Sequence, residues 1–329
     1  MIPMRVAALI LSAVFVVLIV QSPPVISYIT SVKNEQDVAV FMQTDEARRI
    51  REQVIKEAPK HYIKPVDARV DRVWKAIPGL NGREVDVEAT VAKTLKQKNK
   101  NQIAWVYREI PPQKTLEDLG IEPIYRGNER KKSAAIMVNV AWGTEHLPAM
   151  LKILAQEKVK ATFFLDGSWL SKHPEEAKKI VQAGHEIGNH AYSHPLMSQV
   201  SRERMIKEIS RTEKLIQETL QVRSKWFAPP AGDFNRLVLE VAHQQKMKTV
   251  LWTLDTVDWK KTSSPEMMIR KIEKHVSPGT LILTHPTDRT VKALPQIIRA
   301  VKREGIKLGT VSDVLSSKRV DMIEEDRQI

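Results

Sequence analysis

Apolar and polar positions change rhythm twice along the chain. Residues 6–20 form an apolar run uninterrupted by charge and preceded by Arg5. From about residue 45 to 125 short stretches mix helical and strand-like spacing. From residue 134 onward, short apolar runs alternate with amphipathic segments of helical length. The runs at 134–140, 161–165, 186–189, 226–228, 249–254, 280–284 and 307–308 read as strands. The segments at 148–156, 174–183, 202–220, 236–246, 265–276 and 291–303 read as helices. Such alternation predicts an α/β fold, a parallel sheet with helices outside, spanning residues 133–316. Reactive groups in folds of this kind gather where strands end. The polar clusters here obey that rule: Asn139, His190 with His194, 229–232, Asp255 with Trp259, and His285 each follow an expected strand.

The first apolar run is shorter than the roughly 20 residues that a helix needs to span a bilayer. It fits the core of a signal peptide, yet the residues after Gln21 lengthen it and show no small-x-small cleavage site. A cleaved signal peptide and an uncleaved membrane anchor, residues 1–22, both stand. Either places the remainder outside the cytoplasmic membrane. A polar linker, 23–44, leads to a small α+β domain over 45–128. That domain is expected to hold helices at 47–60 and 87–98, a strand at 102–107, and two strands joined at Asn81-Gly82, a dipeptide favoured in tight turns. Residues 317–329 form a polar tail.

Composition narrows the partners. Lys and Arg outnumber Asp and Glu, 52 to 39, among 329 residues, for a net charge of +13. Such a balance favours anionic surroundings. The basic residues are scattered through the expected helices and are not interleaved with aromatics, which argues against nucleic acid. Cysteine is absent, so disulfides, thiol catalysis and cysteine metal sites are excluded.

The densest chemistry lies at 184–195, Gly-His-Glu-Ile-Gly-Asn-His-Ala-Tyr-Ser-His-Pro. Gly188 and Pro195 oppose a helix, so His190 is expected at a strand end and His194 in the following loop. Pro195 biases His194 away from the α region. Two imidazoles at a strand end make half of a metal site, because neutral imidazole suits zinc and similar ions.

Three long phrases stand out: Lys-Ala-Thr-Phe-Phe-Leu at 160–165, Gly-His-Glu-Ile-Gly-Asn-His at 184–190, and Trp-Thr-Leu-Asp-Thr-Val-Asp-Trp at 252–259. Through them residues 134–315 resemble the NodB-homology domain of polysaccharide deacetylases, carbohydrate esterase family 4. The Ala141-Trp142-Gly143 variant further resembles the sporulation-associated branch. The family implies a distorted (β/α) barrel and a hydrolase cleaving non-peptide carbon–nitrogen bonds of N-acetylated wall glycan, peptidoglycan first. It also implies a zinc or similar ion held by two His and one Asp, an Asp base, and a His acid. His190 and His194 take the metal positions. His285 takes the acid position, with Asp255 as its expected carboxylate partner. Trp259, Trp142, Pro229, Pro230, Ala231 and Gly232 take groove positions.

The first motif departs from the family. No Asp occurs between Asp118 and Asp166. Asn139 falls on the base position, where an amide cannot accept a proton. The metal Asp falls on Val140, or with a shifted register on Ala141 or Trp142. Ala228 replaces the Arg that pairs with the base in the family, and Glu145 is the nearest acid that could complete a metal site. The expected reading is therefore a deacetylase-like glycan binder with impaired catalysis and weak or absent metal binding. An active enzyme with rebuilt ligation, and a non-catalytic scaffold in a sporulation or envelope assembly, are the alternatives.

Overall fold

Thr44 accepts a hydrogen bond from the Ala47 N–H at 3.1 Å and so caps α1 (Asp45–Glu57). The structure, a computed structural model, describes residues 44–320 together with Ser22, Pro23 and Val25. The apolar run at 6–20, most of the linker and the end of the tail lie outside the described residues. No helix among the described residues is long and apolar enough to cross a membrane.

The chain divides into two compact units. The first takes residues up to Ile63 with Arg83–Arg108; the second takes Lys64–Gly82 and everything from Glu109. The stretch expected as one small domain, 45–128, is thus shared between them. Ile124 explains its part in the second unit. It is fully buried, donates its N–H to the Thr249 carbonyl and accepts from Leu251, so residues 109–128 line the barrel edge. The strand pair expected around Asn81-Gly82 is also corrected. β1 (Arg69–Asp71) pairs with β2 (Lys75–Ile77), and β3 (Gly82–Val85) pairs with β4 (Tyr107–Ile110), not with β2. The reversal falls at 72–74 because Asp71 Oδ1 accepts the N–H groups of both Val73 and Trp74 at 2.8 Å. Asn81 is buried instead, its amide donating to Glu109. In the first unit α1 packs on α2 (Val87–Leu95), with Ile50, Val54, Val85 and Val91 forming the core.

The second unit is the expected barrel. β5 (Ser133–Val140) is fully buried and lies mid-sheet. It is followed by α3 (Leu147–Gln156), β6 (Thr162–Leu165), the short α4 (Gly167–Lys172), α5 (Pro174–Gln182) and β7 (Glu186–Asn189). Then come α6 (Arg202–Leu220), β8 (Trp226–Phe227), α7 (Arg236–Gln244), β9 (Lys248–Thr249) and β10 (Leu254–Asp255). The unit ends with α8 (Pro265–His275), β11 (Leu281–Thr284), α9 (Asp288–Arg303), β12 (Lys307–Gly309) and α10 (Val311–Leu315). The order is β10-β11-β5-β6-β7-β8-β9, all parallel, with β12 against the start of β5. No ladder joins β9 to β10, so the barrel is distorted and partly open.

Alternation along β5 sets two layers. Ile136, Val138 and Val140 face the helices, packed with Met150, Leu154, Leu294 and Ile298. Ala135 and Met137 face the barrel interior with Phe164, Trp226, Ala228 and Leu283. Because side chains alternate with period two, Asn139 continues the interior row and arrives at the C-terminal mouth of the barrel.

Candidate functional site

A cavity of about 320 Å³ opens at that mouth. Asn139 and Ala141 line it from β5 and the loop beyond, His190 and His194 from the β7 loop, and Ala231 from the loop after β8. Asp255, Trp259 and His285 close the opposite side, with Trp142 and Trp252 as further aromatic walls. Most residues singled out from the sequence therefore converge; Glu145, Val140, Pro229, Pro230 and Gly232 do not line the cavity, and the partner of His285 is reassigned.

His190 is the most constrained. It is 1% exposed, and its Nδ1–H donates to the Ala228 carbonyl at 2.6 Å. A carbonyl only accepts, so Nδ1 carries the proton and Nε2 keeps its lone pair. Burial, reinforced by His194, pushes its pKa down to about 3. His190 is therefore a neutral acceptor or ligand at any physiological pH. His194 stands edge-on to it, ring centroids 5.1 Å apart. The loop carrying both is clamped from beneath by Glu208 of α6. That carboxylate accepts from Tyr192 N at 2.9 Å, Ser193 N at 2.7 Å and Ser193 Oγ at 2.7 Å. Asn189 adds a second clamp, accepting from Ala191 N and donating to the Ile209 carbonyl. His194 avoids the right-handed α region, as its proline neighbour requires, by entering the left-handed one at φ +56°. Ala191, Ala231 and Val257 share that conformation. For β-branched Val257 it is costly, and Asp255 holds it by accepting the Val257 N–H at 2.7 Å.

The partner of His285 is not Asp255. Asp258, fully buried, accepts His285 Nδ1–H at 2.8 Å and the His285 backbone N–H at 2.5 Å. It also accepts the hydroxyl of Thr290. Asp255 spends one oxygen on Val257 and offers the other to Trp259 Nε1 at 3.4 Å. The Asp-x-x-Asp-Trp phrase contained both acids, and its second member, adjacent to Trp259, carries the imidazole. His285 is thus fixed as the Nδ1–H tautomer, with Nε2 available to take a proton and, once protonated, to give it up. Trp142 lies parallel to it, centroids 5.8 Å apart at 6°. Gly143 permits that approach: at φ +78°, a Cβ there would meet the Pro286 carbonyl at 2.0 Å.

Glu145 does not reach the imidazoles. Its side chain is 72% exposed and faces His146 at 3.5 Å. Val140 points into the helix-facing core while Ala141 lines the cavity. A cavity-facing register thus leaves Asn139 and Ala141 where acids would have to stand. Asn139 Oδ1 is buried without a partner. Asp166, 1% exposed, caps α4 by accepting from Trp169 N and Ser168 Oγ, and its Oδ2 has no partner. Burial raises its pKa. Among the described residues no group of three His, Cys, Asp or Glu is arranged to hold a metal. Two imidazoles do not fit a catalytic zinc site, which takes three protein ligands. Pro229 and Pro230 shape the loop, and Gly232, at φ +68°, accepts the Trp252 ring where a Cβ would sit 2.9 Å from it. Trp252 and Asp258 were the wall and the partner that sequence reasoning passed over, though both stand inside the quoted phrase.

The polysaccharide deacetylase family description matches residues 126–250. A peptidoglycan-N-acetylglucosamine deacetylase of Bacillus cereus is 32% identical over 59% of this chain and 72% of its own length. The uncharacterised protein YlxY of Bacillus subtilis is 40% identical over 91% of this chain and 92% of its own. Among solved structures, a CE4 family pseudoenzyme of Bacillus anthracis aligns over 82% of this chain and 96% of its own, at 40% identity and a TM-score of 0.75. A mutant of that pseudoenzyme with restored enzymatic activity aligns with the same score.

Proposed function

Since the chain belongs to the polysaccharide deacetylase family, CE4, we propose that it binds N-acetylated cell-wall glycan in the cleft without hydrolysing it efficiently. The single observation carrying this reading is the composition of the cleft. Trp142, Trp252, Trp259 and His285 line it, while both strand-end positions, Asn139 and Ala141, are neutral. Three tryptophans offer apolar faces against which sugar rings pack, Trp142 and Trp259 being 45% and 49% exposed. The unpartnered Asn139 Oδ1 offers an acceptor. A general base typically contributes 10²–10⁴ in rate, and no acid stands ready at Asn139 to supply it. The rebuilt metal site through Glu145 draws no support, because that carboxylate faces solvent. Relatives named as peptidoglycan deacetylases favour peptidoglycan as the ligand and the outside of the cytoplasmic membrane as the place of action.

Calorimetric titration with oligomers of N-acetylglucosamine tests the reading. Saturable binding, weakened at least tenfold by Trp142→Ala/Trp259→Ala, is the expected result. Binding indifferent to both tryptophans would move the ligand off the cleft.

A further inference from the structure

We propose that Asp255 makes the cleft selective for the N-acetylglucosaminyl residue of wall glycan and against the muramyl residue, an inference that rests on the glycan reading given above. The two sugars differ at one position. In place of a hydroxyl, the muramyl ring carries an ether-linked lactyl group ending in a carboxylate or in a peptide. That exchange removes a hydrogen-bond donor, adds bulk and brings acid with it. Asp255 is without the role first expected of it, since Asp258 holds His285. One Asp255 oxygen accepts the Val257 N–H at 2.7 Å. The other has only Trp259 Nε1 at 3.4 Å, longer than the ~2.7–3.2 Å of a well-made N–H···O bond. Half-buried, Asp255 is the one carboxylate among the described residues that line the cavity. The nearby cations stand elsewhere. Arg289 donates to the Asp258 carbonyl and pairs with Asp288 at 3.2 Å. Lys260, its Nζ 5.0 Å from the Trp259 ring centroid, and Lys261 are exposed, and neither lines the cavity.

The rest of the polar lining asks for the same ligand. Asn139 Oδ1 has no partner. His190 and His285 give their Nδ1 protons to the Ala228 carbonyl and to Asp258, so each keeps an Nε2 lone pair. Together with Asp255 these groups make the cleft rich in acceptors. Sugar hydroxyls can donate to every one of them, whereas a carboxylate can donate to none. Juxtaposed like charges are also an effective way to reject a wrong partner. The cavity, about 320 Å³, stands near the lower end of the ~300–1,000 Å³ typical of ligand pockets. It suits one ring with its acetamido group better than a ring with a lactyl peptide. In an alternating strand the muramyl neighbour then carries its acid outside the cavity. Lys260 and Lys261 are there to meet it, neither being paired with an acid among the described residues.

The test is an NMR titration of the full chain with the methyl glycosides of N-acetylglucosamine and N-acetylmuramic acid, followed at the Trp252 indole N–H. A preference of about tenfold for the glucosaminide is expected. In Asp255→Asn it should shrink to about threefold or less through tighter binding of the muramic acid. The amide oxygen can still accept the Val257 N–H, so the turn is kept. In the unaltered protein, the methyl ester of the lactyl acid should bind more tightly than the acid, which separates charge from bulk without a mutation. Equal affinity for both sugars, still lost in Trp142→Ala/Trp259→Ala, overturns the selectivity and leaves the glycan reading standing. A preference that survives Asp255→Asn, with ester and acid bound alike, overturns the assignment to Asp255. Failure to bind either sugar or any N-acetylglucosamine oligomer removes the glycan reading, and this inference with it.

Discussion

Replacing Asp258 by Asn separates the two acids of the Asp-x-x-Asp-Trp phrase more sharply than any other single change. The carboxylate is fully buried and accepts from His285 N, His285 Nδ1 and the Thr290 hydroxyl. Asparagine preserves the volume but leaves only one acceptor oxygen. Its NH₂ then faces N–H or O–H donors, so either a donor loses its partner or His285 is forced out of its Nδ1–H tautomer. An unsatisfied buried group costs about 1–3 kcal/mol, and the lost charge assistance adds a similar amount. We therefore expect about 2–4 kcal/mol of destabilisation. For a domain of this size that lowers the melting temperature by roughly 2–4 °C per kcal/mol. Asp255→Asn should cost under about 1 kcal/mol, because the amide oxygen can still accept the Val257 N–H. Urea denaturation of both variants gives the free energies, and ¹⁵N NMR of the His285 ring reports its tautomer. In the wild type and in Asp255→Asn, Nδ1 carries the proton; in Asp258→Asn that preference is lost. A silent Asp258→Asn beside a damaging Asp255→Asn would refute the assignment.

Three further outcomes follow from the same geometry. Ala141→Asp should be tolerated and let His190 and His194 retain zinc through dialysis, whereas Val140→Asp, burying a charge among Ile136, Leu154 and Leu294, should cost more than about 3 kcal/mol. Metal analysis and denaturation check the pair, and the reverse ranking would overturn the strand parity. Glu208→Ala strands three donors of the loop at 192–193 and should cost about 2–4 kcal/mol, with faster amide exchange at 192–194; unchanged exchange would deny the clamp. Burial holds His190 near 3 and His185 near 4, so the unfolded chain binds those protons first. Stability is then full above about pH 6.5 and declines as pH falls, by up to about 1.4 kcal/mol per unit for each group. Urea midpoints at pH 7.5 and 5.0 should differ accordingly. Equal midpoints would contradict neutral burial.

Much of this molecule was legible in the order of its residues. The alternation of short apolar runs with amphipathic segments announced a parallel sheet, the family resemblance implied its barrel form, and the groups at strand ends do meet at one mouth. Local signals misled where tertiary partners overruled them. Asn81-Gly82 has turn chemistry, yet Asp71 captures the reversal by binding two N–H groups, and Asn81 is drawn into a bond with Glu109. Glu145 is the acid nearest to Asn139 in sequence, yet the turn after Gly143 directs it to solvent. Asp255 and Asp258 were equivalent as letters. Only the approach of β11 and Thr290 distinguishes them, because hydrogen-bond geometry between distant segments leaves no mark on spacing. Val140 and Ala141 were likewise open until parity along β5 divided them.

In the proposed function the cleft recognises N-acetyl glycan but lacks the acids that would cleave it. Acetate release, measured from purified peptidoglycan with saturating zinc, alongside binding of the same material, tests this. Retained binding with no acetate above the protein-free blank is expected. Sustained release by the unmodified chain, abolished by His285→Ala, would contradict it.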